Sequence, residues 1–306
     1  MNYGRTSLRR RAKQLDARGT RIRHKIGVIL GKLLLIGIIV GGCAAVSFGV
    51  GAFKGILASA PDISEVDVIP TGYSTKVLAA DGSETAKLVA AGSNRQYVTI
   101  DQIPEDLQHA VVAIEDERFY DHNGIDLKGI VRALVADVRT RDFSQGASTL
   151  TQQLIKNNVL NEQWANENDS NISKIEKMER QVQRKIQEQY LAIELEKKVN
   201  DKNWILENYL NSINLGSNTL GVQAAAQRYF GKDVSKLTLS ECAVIAGITK
   251  NPAGYNPILH PKENAKRRKN VLDAMKKQGY ISQKQYDKAM ADDVYCLLYT
   301  SDAADE

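Results

Sequence analysis

An acidic and aromatic cluster at 115–124, EDERFYDHNG, contains the first side chains whose types and spacing could do chemistry. On a helix, Glu115, Phe119 and His122 lie at positions i, i+4 and i+7, along one edge of the apolar stripe. A carboxylate at such an edge is partly desolvated, which raises its pKa and suits Glu115 to general base catalysis. A solvated acidic helix end with a His-Asn-Gly C-cap is the other interpretation, and spacing alone favours it.

A second cluster, GASTLTQQ at 146–153, has the features of an anion or sugar site. A loop ending in glycine precedes Ser148 and Thr149, either of which can cap a new helix whose backbone N–H groups point outward. The polar side chains within the next two turns are Gln152, Gln153 and Lys156. A well-capped helix without a ligand explains the hydroxyl groups, but it does not explain the two glutamines and the lysine.

The third cluster is RKIQE at 184–188. Helical periodicity predicts a buried stripe formed by Val182, Ile186, Tyr190 and Ile193. Arg184 and Glu188 then share the opposite face, where an exposed ion pair worth about 0.3–0.5 kcal/mol is the simpler interpretation. The functional interpretation is a cationic patch of Arg184 and Lys185 for a phosphorylated leaving group, with a second carboxylate beside it.

The elements that must position these clusters are mostly helices. After Pro104, apolar residues recur at helical spacing at Leu107, Ala110, Val111 and Ile114. Further helices are predicted near 127–140, 148–160, 174–198, 201–211, 220–229, 238–249, 262–278 and 282–290. Residues 76–89 alternate weakly around Asp81-Gly82, which predicts a β-hairpin. The fold class is therefore mainly α, with a small N-terminal β element.

One segment is long and apolar enough to cross a bilayer, the uncharged run of 21 residues at 33–53. Residues 1–32 hold ten Lys/Arg and one acidic residue, whereas the other 274 residues hold 31 Lys/Arg and 35 Asp/Glu. The positive-inside rule predicts a cytoplasmic N-terminus and an extracytoplasmic body on a bacterial plasma membrane. The alternatives are a cleaved signal peptide and a lipoprotein processed at Cys43. Because the basic charge belongs to this tail, a nucleic-acid partner is excluded.

Cysteine and histidine usage argues against disulfide or metal frameworks. Cys43, Cys242 and Cys296 lie far apart, so neither a disulfide framework nor a zinc-binding spacing can be built from them. The four histidines form no HExxH pattern, so no dedicated transition-metal site is predicted.

Together the clusters resemble the glycosyltransferase domain of class A penicillin-binding proteins and of monofunctional peptidoglycan glycosyltransferases. The matching segments, in family order, are 115–124, 146–153, 184–188, WILENYLN at 204–211, LGVQAAAQRYFGK at 220–232 and LSECAVIAGITKNPAGYNP at 239–257. This resemblance covers about residues 90–290. It implies a lysozyme-like, bilobed and mainly helical domain behind one transmembrane helix, which polymerises lipid II into β-1,4-linked glycan strands with inversion at MurNAc C1 and release of undecaprenyl pyrophosphate.

The resemblance also implies roles for residues. Glu115 matches the general base, and Glu188 matches a second carboxylate that assists the leaving group directly or through a divalent cation, Mg²⁺ or Mn²⁺. Arg184, Lys185 and Lys156 would balance pyrophosphate charge. The side chains expected to position sugar or phosphate, or to shape the cleft around the base, are Ser148, Thr149, Gln152, Gln153, Phe119 and His122. No organic cofactor is implied. For an inverting reaction we expect the two carboxylates to stand farther apart than about 5–5.5 Å.

The predicted organisation combines these features. It consists of a basic tail (1–32), a transmembrane helix (33–53), a connector with a hairpin (54–100), the glycosyltransferase core (101–260), a helical linker (261–293) and a non-native tail (294–306). The polar stretch 161–180 is longer than the family pattern and is expected to form a flap. No serine has a lysine three residues later and no KTG occurs, so the transpeptidase domain of class A proteins is missing here and we expect the natural protein to be longer.

Two other functions fit parts of the sequence. A lysozyme-like hydrolase or lytic transglycosylase would use the same pair of carboxylates, and a membrane-tethered, wall-binding scaffold would need neither. The cations beside Glu188 and the membrane anchor favour synthesis from a phosphate-bearing lipid donor. The expected partners are lipid II, the growing glycan strand, the plasma membrane and proteins of cell division or elongation.

Overall fold

The computed structural model describes residues 4–15, 18–63, 68–70, 73, 75–88, 95–140, 146, 148–161, 164 and 172–295. The chain divides into two compact units, residues 1–59 and 60–306. The first unit consists of α1 (Arg5–Leu15) and α2 (Arg18–Ala58). Residues 22–58 of α2 are apolar enough to span a membrane, and the predicted segment 33–53 lies inside this helix. Its side chains from residue 22 to residue 55 are exposed, as is expected of a helix that meets lipid.

The second unit begins with the predicted hairpin. Strands β1 (Thr75–Leu78) and β2 (Glu84–Leu88) pair antiparallel, with a register shift between Val77 and Leu78. The turn contains Gly82 at φ +83°, a conformation that favours glycine, and the Asp81 carboxylate accepts the backbone N–H and hydroxyl of Ser83.

The rest of the second unit is helical. Its helices are α3 (Glu105–Glu115), α4 (Leu127–Thr140), α5 (Leu150–Ile155), α6 (Lys174–Val199), α7 (Lys202–Ser212), α8 (Val222–Phe230), α9 (Leu239–Ile248), α10 (Pro261–Lys277) and α11 (Gln283–Ala291). A π-helical turn, Lys156–Leu160, continues α5, and 3₁₀ turns cover Ile100–Gln102 and Val234–Lys236. The prediction of a mainly α domain with a small β element in front is confirmed.

Helix α9 forms the centre of one half of the core. Its residues from Ser240 to Ile248 are all buried, because α3, α8, α10 and α11 surround it. A helix that is apolar on every side needs such complete cover. Its N-terminus carries a capping box, in which Thr238 accepts the Glu241 N–H and Glu241 accepts the Thr238 N–H. In the other half of the core, α5 packs between α6 and α7.

Helices α10 and α11 belong to this same core. The sequence analysis placed residues 261–293 in a linker, yet Val271, Leu272 and Met275 of α10 are fully buried against α3 and α9. Val294, the first residue of the predicted non-native tail, is also buried, and the Tyr295 hydroxyl donates to Asn264 Oδ1 at 2.6 Å. The rest of that tail, 296–306, and most of the predicted flap at 161–180 lie outside the described residues.

Candidate active site

A cavity of about 890 Å³ lies between the two halves of the helical unit. Its walls come from the end of α3, the loop before α5, α5 itself, α6, the end of α7, the loop after α9, and α10. The residues that line it are Ile114, Glu115, Gly146, Ser148, Gln152, Gln153, Lys156, Asn157, Arg184, Lys185, Glu188, Tyr209, Ile213, Asn214, Thr249, Lys250, Pro252 and Arg267. Eight of the eleven predicted site residues are among them.

Glu115, the last residue of α3, reaches one side of the cavity. Its Oε2 accepts the Gln153 Nε2–H at 3.1 Å, and its Oε1 accepts the Thr249 hydroxyl at 2.6 Å. The guanidinium of Arg267 lies 3.6 Å from Oε1. The Glu115 side chain is 14% exposed. Three elements far apart in sequence therefore hold this carboxylate, which keeps its orientation fixed while one edge faces the cavity.

Tyr209 on α7 supports this arrangement from behind. Its hydroxyl donates to Gln153 Oε1 at 3.1 Å, which orients the amide so that its N–H groups face Glu115. Burial raises the pKa of Tyr209 well above its usual value, and the negative charges of Glu115 and Asp116 raise it further. The phenol therefore remains a protonated hydrogen-bond donor throughout the physiological pH range.

The chain leaves the helix immediately after Glu115, so one expectation from periodicity is wrong. Phe119 and His122 lie in the loop after α3 and not on a continuing helix. Asp116 forms the turn: His122 Nε2 donates to its carboxylate, 3.0 Å from both oxygens, and the Leu150 N–H donates to Oδ2 at 2.9 Å. Asp116 thus occupies the N-terminus of α5, where the sequence analysis expected a ligand anion.

Three predicted contact residues lie behind the cavity wall. Phe119 is fully buried, with Lys202 Nζ 4.5 Å above its ring, and His122 is buried against Asp116. Thr149 is 1% exposed; its hydroxyl donates to Gly124 O at 2.7 Å and accepts the Gln152 N–H at 3.2 Å. These side chains build the loop and cap α5, so they shape the cavity without lining it.

Gly124 explains why this loop can lie so close to α6. Its φ is +87°, and a Cβ atom at this position would stand 2.6 Å from the Ala192 backbone. Glycine is therefore required both by conformation and by the close approach of two backbones. The loop that follows Glu115 is held against α6 by this contact.

Glu188 on α6 faces the other side of the cavity and is 3% exposed. Lys185 Nζ lies 3.0 Å from its Oε2, and Arg184 Nε lies 3.7 Å from its Oε1. The Lys185 ammonium group also donates to Ser148 Oγ at 2.7 Å and to Gln152 Oε1 at 3.0 Å. Lys185 therefore joins the start of α5 to the second carboxylate.

The stripe of α6 that was predicted to be buried is buried only in part. Val182 is 53% exposed and Tyr190 is 36% exposed, whereas Gln187 and Glu188 are buried. The polar face of this helix is turned toward the cavity. The simple interpretation of Arg184 and Glu188 as a solvated surface pair is thus wrong, and the functional interpretation matches their placement.

The cavity carries an excess of positive charge. Among the described lining residues, five are cationic, namely Lys156, Arg184, Lys185, Lys250 and Arg267, and two are carboxylates. Such a concave, cationic surface attracts anionic ligands. Roles for Tyr209, Thr249, Lys250 and Arg267 were missed by the sequence analysis. The first three lie inside the family segments quoted above, which indicated the family but not the role of these residues. Arg267 lies in the segment that was assigned to a linker.

A half-buried and a buried carboxylate on two sides of a cationic, polar cavity suit an enzyme that acts on glycosyl groups. A family model described as Transglycosylase matches residues 81–276. The chain therefore belongs to the transglycosylase family. The resemblance seen in the sequence is confirmed, and so is the predicted enzyme class, a peptidoglycan glycosyltransferase.

The chain is similar to proteins named penicillin-binding protein. It is 39% identical over 258 residues to penicillin-binding protein 1A/1B of Bacillus subtilis strain 168, covering 84% of this chain and 25% of the relative. It is 40% identical over 255 residues to penicillin-binding protein 1A of Escherichia coli K12, covering 83% and 28%. It is 46% identical over 196 residues to penicillin-binding protein 1A of Aquifex aeolicus VF5, covering 64% and 25%.

A crystal structure of penicillin-binding protein 1A from Haemophilus influenzae is also similar, at 26% identity and a TM-score of 0.39, covering 74% of this chain and 21% of that one. The chain thus spans about a quarter of the length of the curated relatives it matches.

Proposed function

We propose that this domain polymerises lipid II into β-1,4-linked glycan strands with inversion at MurNAc C1. The observation that carries the proposal is the division of the cavity into two sides. Glu115 accepts hydrogen bonds from two neutral donors and has one cation at 3.6 Å. Glu188 has two cations beside it, Lys185 at 3.0 Å and Arg184 at 3.7 Å. One side suits proton removal from a sugar hydroxyl, and the other suits a departing pyrophosphate.

Glu115 is proposed as the general base. Its carboxylate takes the proton from the 4-hydroxyl of the acceptor GlcNAc while that oxygen forms a bond to C1 of the donor MurNAc. The bond from C1 to the pyrophosphate oxygen breaks on the opposite face, and undecaprenyl pyrophosphate leaves with the electron pair. The Gln153 and Thr249 hydrogen bonds support this role because they fix the carboxylate before the acceptor arrives.

The cationic side supports pyrophosphate departure. Lys185 and Arg184 lie beside Glu188, and Lys156 lines the same cavity. Fixed positive charges in a partly enclosed site stabilise negative charge as it develops, without reorganisation of solvent. Ser148 and Gln152 hold Lys185 in place, which supports their proposed role on the phosphate side.

A divalent cation fits this side only if it is shared with the substrate. Within the described part of the chain no group of three or more His, Cys, Asp or Glu residues could cage a metal. Among the described residues, nevertheless, no group donates a hydrogen bond to the buried Oε1 of Glu188. Since Mg²⁺ is commonly held by one or two carboxylates together with substrate phosphates, Glu188 would hold it with the pyrophosphate. Bound there, the cation would neutralise charge on the leaving group.

Membrane attachment by α2, with the N-terminus in the cytoplasm, would bring the domain to a lipid-linked substrate. Helix α4 supports this proposal, because Leu127, Val131 and Val135 form a stripe at i, i+4 and i+8 and each is more than half exposed. The first half of α6 has a similar exposed set, Ile175, Met178 and Val182. Exposed apolar patches of this kind are typical of surfaces that contact other molecules or lipid.

The test uses the full chain in lipid vesicles with labelled lipid II. We expect glycan strands from the wild type and a loss of at least about 100-fold in Glu115→Gln, the magnitude typical of a lost general base. Glu117→Gln, two residues away and partly exposed, is the matched control and should retain activity. Cleavage of preformed glycan without consumption of lipid II would overturn the proposal in favour of a hydrolase.

A further inference from the structure

Arg267 brings a positive charge to the base from a helix that sequence analysis placed outside the domain. Its guanidinium lies 3.6 Å from Glu115 Oε1, and the two side chains are 12% and 14% exposed. Among the described residues, Arg267 is the cation that forms an ion pair with Glu115. At 3.6 Å the contact exceeds hydrogen-bond length, so Oε1 keeps its short bond to the Thr249 hydroxyl.

Gly247 makes this placement possible. It lies on the face of α9 that α10 crosses, and a Cβ atom at this position would stand 3.2 Å from Arg267 Cγ and 3.7 Å from Arg267 Cβ. The missing side chain therefore leaves a channel for the arginine stem. This accounts for a glycine in the interior of a buried helix, where glycine otherwise costs about 1 kcal/mol relative to alanine.

The charges that face Glu115 come from every wall of the cavity. Its neighbour Asp116 is paired with His122, and the Tyr209 phenol on α7 is neutral. The other ionisable residues of the cavity are Lys156, Arg184, Lys185, Glu188 and Lys250. Lys185 and Arg184 pair with Glu188. Of the residues that the structure describes, Arg267 is the charged group within 4 Å of the Glu115 carboxylate.

We infer that Arg267 is a positioning residue for the general base: its charge holds the Glu115 carboxylate directed into the cavity. The inference rests on the proposed function, in which Glu115 removes the proton from the acceptor hydroxyl. A contact of 3.6 Å stabilises the ionised carboxylate without consuming the lone pairs that must receive the proton. A bidentate salt bridge at hydrogen-bond length would stabilise the same charge but would compete with the acceptor hydroxyl.

The consequence is a pH dependence with a defined sign. Removing a nearby positive charge makes a carboxylate easier to protonate. The base works only when it is deprotonated, so the acid limb of the rate profile moves to higher pH. For an opposite charge at this distance the shift is about one pH unit. Activity then falls about tenfold on the acid side of the profile and is nearly unchanged on its alkaline side.

The experiment measures kcat and KM between pH 5 and pH 9 for the full chain in vesicles with lipid II. Arg267→Met is expected to move the acid limb of kcat upward by about one pH unit, and Arg267→Lys to restore most of it. Lys269→Met is the matched control, because Lys269 lies on the same helix, is 53% exposed and forms its ion pair with Asp273, away from the cavity. It should leave the profile unchanged.

Gly247→Ala gives a second variant that keeps the arginine but crowds its stem. We expect an upward shift of the acid limb by about half a pH unit or less, in the same direction as Arg267→Met. Thermal unfolding of each variant is measured in parallel. If Arg267→Met fails to fold, Gly247→Ala still reports the shift.

Two outcomes overturn the inference. A raised KM at every pH with an unmoved acid limb would assign Arg267 to substrate binding, and an equal fall in kcat at every pH would assign it to structure. The proposed function fails in a different way: lipid II is not polymerised by the wild type, or Glu115→Gln retains activity. Retained polymerisation, an inactive Glu115→Gln and an unmoved limb in Arg267→Met would therefore reject the positioning role alone.

Discussion

Gln152 and Gln153, adjacent on α5, connect to opposite sides of the cavity. Gln153 Nε2 donates to Glu115 at 3.1 Å, whereas Gln152 Oε1 accepts from Lys185, whose ammonium lies 3.0 Å from Glu188. Neighbouring residues on a helix point about 100° apart, so one turn of α5 can serve both carboxylates. The position of α5 therefore sets the relation between the two sides of the site.

Gln153→Ala is expected to reduce kcat by about 10- to 100-fold, because Glu115 loses a donor and the Tyr209 hydroxyl loses its acceptor. The measurement is steady-state polymerisation of lipid II together with thermal unfolding. Gln181→Ala, on the exposed part of α6, serves as the control. An unchanged kcat in Gln153→Ala would show that Thr249 and the helix end orient Glu115 without the amide.

Lys185→Met is expected to cost at least about 100-fold in kcat, since removal of one donor from a charged transition-state site typically has this effect. The ammonium also balances the buried Glu188 and holds Ser148 and Gln152, so rigidity of the phosphate side falls as well. Lys197→Met on the same helix, at an exposed position, is the control. A loss confined to KM would instead indicate that Lys185 acts in ground-state binding.

Thr149→Val tests whether this threonine is a helix cap or a contact for the substrate. The hydroxyl is buried and bonded within the protein, so its loss should lower the free energy of unfolding by about 1–2 kcal/mol. Thr149→Ser should recover most of this stability. Chemical denaturation measures the effect. A raised KM without any loss of stability would contradict the assignment and return Thr149 to the ligand side.

The sequence predicted the helical architecture well where apolar spacing agrees with burial, as it does in α3 at Leu107, Ala110 and Val111. It failed at the end of α3. Phe119 falls at the apolar position of a continuing helix, so periodicity extends the helix through it, although the chain turns at Asp116. The turn depends on the contacts of Asp116 with His122 and Leu150, which lie six and 34 residues away, and local patterning contains no such information.

The wrong assignment of the buried face of α6 has a different cause. Periodicity assigns the apolar stripe to the core on the assumption that the other face meets water. Here the face with Glu188 and Gln187 lines or backs a polar cavity, and Val182 is exposed. Polar side chains that are buried beside a ligand site depart from the rule that polar residues are exposed. Exposed apolar side chains depart from the rule that apolar residues are buried. The hydrophobic pattern therefore predicts burial wrongly at the residues that form a functional site.

Arg267 could not be found by motif or period. It lies 152 positions after Glu115 in the sequence, in a helix rich in lysine and arginine, and its only distinguishing feature is its place opposite Gly247. That place depends on how α10 crosses α9. Arg267 is one of several basic residues of α10, and most of the others face solvent. Only the packing of α10 shows that Arg267 faces the cavity.

The buried pair of Asp116 and His122 gives a final prediction, in which the contribution of the pair to the free energy of unfolding is measured separately from its effect on kcat. Asp116→Asn keeps an acceptor for the Leu150 N–H but removes the charge that faces His122, and His122→Gln keeps a donor of similar reach. Each single variant should lower the free energy of unfolding by about 1–3 kcal/mol, because a partner is left buried without its hydrogen bond. The double variant should lose less than the sum, with a coupling energy of about 1 kcal/mol or more. Because the pair fixes the start of α5, kcat should fall in all three variants, and Glu117→Gln should change neither quantity. Strict additivity in denaturant unfolding would mean that the two side chains stabilise the loop after Glu115 independently.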